Sequence, residues 1–232
     1  MGKKNYGSVY GDPYQRFRYI LKYLENYYGR KTKILIPNAF DGQHVLNSVR
    51  KGYKVDCYET IKEFINGGTI GNYKIVGLKN KLDYFKMNDD VVLFEKNFYE
   101  QKIEREYEFV YCYKSLHLSE NKHIPKDRKM RKLLSSVKEN GFIYIFYHLA
   151  VNENDYTNYP KEQYFRKYEM SKYFDDSWEI ILSIENNLLS QDKAHPYNEK
   201  DHNHLIGHIF AKKIYKRRKY KYNYKIIVNE SY

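Results

Sequence analysis

Cysteine occurs only twice in these 232 residues, at Cys57 and Cys112. That is too few for a disulfide framework or a cysteine-built zinc centre. Both fall in apolar runs that read as buried strands, where cysteine packs as a small hydrophobe, and a reduced, cytoplasmic setting is expected. No apolar run is long enough for a membrane span. The opening segment, MGKKNYGSVYGDPY, lacks the apolar core of a secretory signal. Glycine is scarce at one telling place: the strand-to-helix turn after Ile36 contains only Gly42. A G-x-G-x-x-G turn is therefore absent, which argues against a dinucleotide-dependent dehydrogenase.

What is present fits a folded chain. Hydrophobic residues make up 42% and aromatics 18%, which argues against global disorder. Tyrosine dominates the aromatics, 28 residues against 12 Phe and a single Trp. The length suits one α/β domain spanning 1–232, with a core at 14–213, an N-terminal arm at 1–13 and a C-terminal extension at 214–232. Net charge is +12, and eight of the basic residues lie between Lys212 and Lys225 with no acid among them. Such a segment could track nucleic acid. Its Tyr/Lys alternation from Tyr215 to Tyr224 favours instead an edge strand kept soluble by charge.

Periodicity predicts helices at 14–28, 43–51, from 60 to 65, around 78–87, at 127–139 and at 164–174. Asn140-Gly141 reads as the C-cap of the fifth of these. Strands are predicted at 33–36, 54–58, 91–94, 109–113, 142–147, 178–185 and 204–213. Helices between most strands imply crossovers and a mostly parallel sheet. The last two strands have no helix between them and are expected to pair antiparallel. Two long loops, 151–160 and 186–201, follow strand ends, where functional loops gather.

The stretch from Ile34 to Glu59 is the most informative. An apolar strand, a turn, an amphipathic helix and a second strand ending on a carboxylate form a nucleotide-type half-site, because ligands sit where a strand hands over to a helix. Gly42 and Glu59 are 17 residues apart, near the roughly 20 such a unit uses. Four histidines cluster late, at His195, His202, His204 and His208. His202 and His204 form an H-x-H pair, a spacing used by some metal sites, but the strand pattern accounts for His204 and His208 without a metal, and none is expected.

Three segments carry a family resemblance: Gly42-Gln43-His44 through Gly52-Tyr53-Lys54-Val55, the run YEFVYCYKSLHL at 107–118, and LLSSVKENGFIYI at 133–145. In order and spacing the chain resembles the class I S-adenosylmethionine-dependent methyltransferases, in their small-molecule, tellurite- and thiopurine-type branch. The resemblance implies a Rossmann-like, doubly wound, mostly parallel seven-stranded sheet with an antiparallel last strand. It implies S-adenosyl-L-methionine as cofactor, held by Asn38, Ala39, Phe40, Asp41 and Gly42. Glu59 would hold the ribose hydroxyls, with Thr60 and Ile61 flanking the adenine. Asn97 would face the adenine amino group, Phe98 would pack on the ring, and Tyr111 and Tyr113 would face the methionine end. Ser115, His202 and His204, with Tyr6 and Tyr10 of the arm, border the acceptor; His117 and His148 are the candidate bases. The turn departs from the family's G-x-G-x-G, since Asn38 and Phe40 stand at glycine positions. A bulky Phe40 resists the left-handed conformation, so an altered turn or weaker cofactor binding is expected.

The expected acceptor is a small molecule. A nucleic-acid enzyme is the weaker reading, because Tyr113-Lys114-Ser115-Leu116 replaces the (Asp/Asn)-Pro-Pro-(Tyr/Phe) segment of amino-methylating DNA enzymes. A binding protein that kept the fold without the chemistry is the third. No membrane partner is expected, and the sequence does not set the oligomeric state.

Overall fold

The computed structural model describes residues 6–10, 15–102, 105–118, 121–150, 164–186, 190–192 and 202–214. They belong to two compact units, Met1–Gln101 with Lys193–Asp201, and Lys102–Asp192 with His202–Tyr232. The strand pattern is a Rossmann-like, doubly wound α/β fold, mostly parallel, with its last strand antiparallel.

The first unit begins with helix α1 (Gln15–Tyr28), whose Phe17, Ile20, Leu21 and Leu24 recur at helical spacing and are all buried. Gly29, at φ 64°, ends it. Next come β1 (Lys33–Ile36), α2 (Gln43–Arg50), β2 (Lys54–Tyr58), α3 (Lys62–Asn66), β3 (Gly68–Ile70), β4 (Tyr73–Ile75), α4 (Leu78–Phe85) and β5 (Val91–Phe94). Strands β5, β2 and β1 are parallel neighbours, with Ile34 opposite Val55 and Val55 opposite Val91. A run such as Ile34-Leu35-Ile36, apolar on both faces, is what a covered parallel strand requires. β3 and β4 form a hairpin across Gly71-Asn72.

Tyr53 ties α1 to the start of β2, its hydroxyl donating to the Leu21 carbonyl at 2.5 Å. Burial, with the Glu25 carboxylate adding to it, pushes the Tyr53 phenol up to about 12. The fold therefore favours the neutral phenol. That contribution is complete below pH 10 and is lost as pH rises from 10 towards 12. Wild-type protein should lose about 2 kcal/mol more than Tyr53→Phe between pH 9 and pH 12, read from urea midpoints. Equal losses would show that Tyr53 does not carry the alkaline transition.

The second unit contains β6 (Tyr107–Cys112), α5 (Lys126–Ser135), β7 (Val137–Leu149), β8 (Trp178–Glu185), β9 (Ser190–Asp192) and β10 (His202–Lys213). β6 runs parallel to β7, while β10 lies antiparallel between β7 and β8. Gly207 of β10 lies against Tyr147, where a Cβ would come within 2.2 Å of the ring.

Three expectations change. The helix predicted to reach residue 139 stops at Ser135, because Val137 pairs with Tyr107 and draws the following residues into the sheet. Residues 137–141 join β7, and Asn140-Gly141 lies within that strand, not at a helix cap. Residues 164–174 form no α-helix: Phe165 bridges Leu149, and only Met170–Tyr173 turns, as a 3-10 helix. The loop predicted at 186–201 contains β9, which pairs with β10. The loop at 151–160 and the basic extension beyond 214 lie outside the described residues. Among the described residues, no helix is long and apolar enough to cross a membrane.

Candidate functional site

In the first unit, the turn from β1 to α2 closes on the end of β2. Ala39 N–H donates to the Tyr58 carbonyl at 2.8 Å, and Gly42 N–H to the Ala39 carbonyl at 3.0 Å. Gly42 sits at φ 92°, with the Leu78 side chain packed where a Cβ would stand. Phe40 adopts φ 51°. The left-handed conformation expected to exclude Phe40 is thus the one it takes, and its ring packs on Tyr10 and Phe64 at 5.4 and 6.0 Å.

Glu59 is 1% exposed, and its carboxylate accepts hydrogen bonds from four donors among the described residues. Phe40 N–H (2.7 Å) and the Asn38 amide (3.3 Å) reach Oε2, and the N–H groups of Thr60 (2.9 Å) and Ile61 (3.0 Å) reach Oε1. Asp41 is fully buried and paired with the equally buried Lys81 of α4. Lys81 Nζ lies 3.0 Å from Asp41 Oδ2 and 2.9 Å from its carbonyl. The same carboxylate accepts from Ser8 Oγ and Val9 N–H, each at 2.8 Å. Tyr6, predicted beside the acceptor, stacks at 3.8 Å on Tyr84 of α4, within the first unit. Asn97 caps a short turn, its Oδ1 accepting from Tyr99 N–H at 3.0 Å, and buried Phe98 packs on Tyr58.

In the second unit, His117 and His148 come together as predicted candidates for one role, their rings stacked 3.7 Å apart at 15°. His148 ends β7 and is 3% exposed. Phe146 and Tyr164 flank it at 5.7 and 6.2 Å. Tyr111 is buried between Tyr144 and Tyr113 in a parallel stack. The half-buried Tyr113 packs on Phe146 at 4.9 Å. Ser115 is buried, and its carbonyl accepts from the Asn121 amide at 3.1 Å. His202 and His204 lie on β10, opposite Asp192 and Ser190; their side chains lie outside the described set.

Two residues were missed by the sequence reading, both lysines inside apolar stripes. Lys81 lies between Leu78 and Leu82 on α4, and Lys129 adjoins Met130 and Leu133 on α5. Lys129 is fully buried and donates to the Leu116 carbonyl at 2.6 Å, fixing the loop that carries Ser115 and His117. A lysine on the buried face of a helix was the available signal, since a buried ammonium must find acceptors.

No protein-family model matches this chain, and no curated protein matches it in sequence. Solved structures do. TehB from Haemophilus influenzae aligns over 87% of this chain with TM-score 0.63 at 13% identity. The chain spans 62% of the length of TehB. The 1,6-didemethyltoxoflavin-N1-methyltransferase of Burkholderia thailandensis, solved with S-adenosylhomocysteine, aligns over 86% of this chain and 79% of its own, with TM-score 0.53 at 12% identity. Magnesium protoporphyrin IX methyltransferase from Synechocystis PCC 6803, also with S-adenosylhomocysteine, aligns over 88% and 90%, with TM-score 0.57 at 10% identity. The fold is that of the class I methyltransferases. Within that fold the carboxylate ending β2, the N–H groups after it and the turn before α2 match a nucleoside-bearing cofactor in kind. Here those acceptors and donors are engaged with one another.

Proposed function

We propose that this chain is a class I S-adenosylmethionine-dependent methyltransferase acting on a small-molecule acceptor, as a single functional domain. The observation that carries the reading is the methyltransferase fold with a carboxylate, Glu59, at the end of β2 beside the β1–α2 turn. Glu59 would hold the ribose, Thr60 and Ile61 the adenine edge, and Asn97 and Phe98 its far side. Asn38, Ala39, Asp41 and Gly42 shape the turn. The cofactor supplies an electrophilic methyl group on a sulfonium.

The chain's own part is to hold the acceptor in line and to receive its proton where it has one to lose. The stacked His117 and His148 suit that role, since imidazole is the side chain that ordinarily exchanges protons near neutrality. Ser115 of the second unit is the proposed acceptor contact, with His202 and His204. A nucleic-acid acceptor is the second reading. A cleft of about 620 Å³ in the second unit favours it, where Arg166, Lys167 and Lys172 outnumber Asp127 and Glu169, the latter paired with Lys126.

Calorimetry with S-adenosylhomocysteine tests the cofactor, and silence at millimolar ligand in wild type and in Phe40→Gly alike overturns it. For the bases, His148→Gln should lower kcat on a phenol or N-heterocycle roughly a hundredfold with KM little changed, the usual size of a lost general base. An unchanged kcat would remove His148 from the chemistry. RNA binding that disappears with salt would move the assignment to the second reading.

A further inference from the structure

We propose that Phe40 and the strap at residues 6–10 hold the cofactor half-site of the first unit shut, so that cofactor binds only after the strap and turn let go of Glu59. The proposal rests on the reading of this chain as a cofactor-dependent methyltransferase. A carboxylate offers about four lone-pair positions. At Glu59 all four are taken by Phe40, Asn38, Thr60 and Ile61, in a residue 1% exposed. A ribose diol needs at least two of them. Its arrival must therefore displace donors that belong to the chain.

The donors on the turn side are the Asn38 amide and Phe40 N–H, and Phe40 makes the shorter bond, 2.7 Å against 3.3 Å. Its φ of 51° is a conformation that a bulky side chain does not hold unaided. What holds it is packing between Phe64 of α3 and Tyr10 of the strap. The strap is fastened in turn. Ser8 Oγ and Val9 N–H hold Asp41, the Tyr10 carbonyl accepts from Gln43 Nε2 at 3.2 Å, and Tyr6 stacks on Tyr84. Strap, ring and carboxylate close as one unit. Apparent cofactor affinity then equals the affinity of the open turn scaled by the fraction of molecules in which it is open.

Two measurements on the full chain test this. Amide exchange in ligand-free protein should find the N–H groups of Phe40, Thr60 and Ile61 protected in wild type and faster in Phe40→Gly. Calorimetry should find S-adenosylhomocysteine bound about tenfold tighter by Phe40→Gly, and also tighter by Ser8→Ala, which removes one fastening of the strap to Asp41. Unprotected amides in wild type, or variants that bind no tighter than wild type, would overturn the gate and leave the cofactor assignment standing. If none of the three proteins binds while the amides stay protected, the cofactor assignment falls and the gate falls with it.

Discussion

Replacing Lys81 with methionine is expected to cost about 3–5 kcal/mol of stability, because it strands a buried carboxylate. Lys81 and Asp41 are both fully buried and make an ion pair at 3.0 Å. Taking the ammonium away leaves the Asp41 carboxylate to Ser8 Oγ and Val9 N–H, two neutral donors. Lys81 also caps the Asp41 carbonyl, so the β1–α2 turn loses its tether to α4 as well. Urea midpoints would give the loss. Adding Asp41→Asn to Lys81→Met should recover part of it, since no charge then remains buried. A loss under about 1 kcal/mol would mean that water reaches the pair, as it does for exposed ion pairs.

Glu59→Gln should destabilise the ligand-free protein by roughly 2–4 kcal/mol, following the cost of buried donors left without acceptors. The oxygen of the new side-chain amide can keep the N–H groups of Thr60 and Ile61. Its NH2 then meets Phe40 N–H, donor against donor, and the Asn38 amide must turn over to present its oxygen. A carboxylate waiting in water for a ribose would show no such penalty, because solvent would satisfy either side chain. Stability without ligand thus separates an engaged Glu59 from an idle one. A midpoint within about 0.5 kcal/mol of wild type would sink the engaged arrangement.

Much of the fold could be read from the chain because its strands are short, apolar and sharply bounded. β1, β2, β5 and β8 have their predicted ends. Helix α2 begins at the predicted Gln43 and buries His44, Val45, Leu46, Ser48 and Val49. The failures share a cause, in that local signals lost to pairing partners far away in sequence. Residues 137–141 look helical until Tyr107 is known to pair with Val137. Tyr164 and Phe165 look helical until Leu149 bridges Phe165. The β3–β4 hairpin was legible through its Gly-Asn turn and was passed over.

At the site, sequence order placed Glu59 and the turn together; that His117 stacks on His148 is seen only in the fold. Nor did sequence order disclose that Asn38, Phe40, Thr60 and Ile61 would all commit their donors to Glu59. Backbone N–H groups carry no residue-type signature. Only the folded geometry shows where they point.

The position of β10 has a consequence for how the chain is made. It is the last described strand to leave the ribosome, yet it lies between β7 and β8. Until residues 202–213 have emerged, β7 and β8 must wait, each with a partnerless rim of backbone N–H and carbonyl groups. Exposed rims of that kind recruit other chains. A messenger cut short before codon 202 should therefore yield a sticky product, and slow decoding there would prolong the danger for every copy.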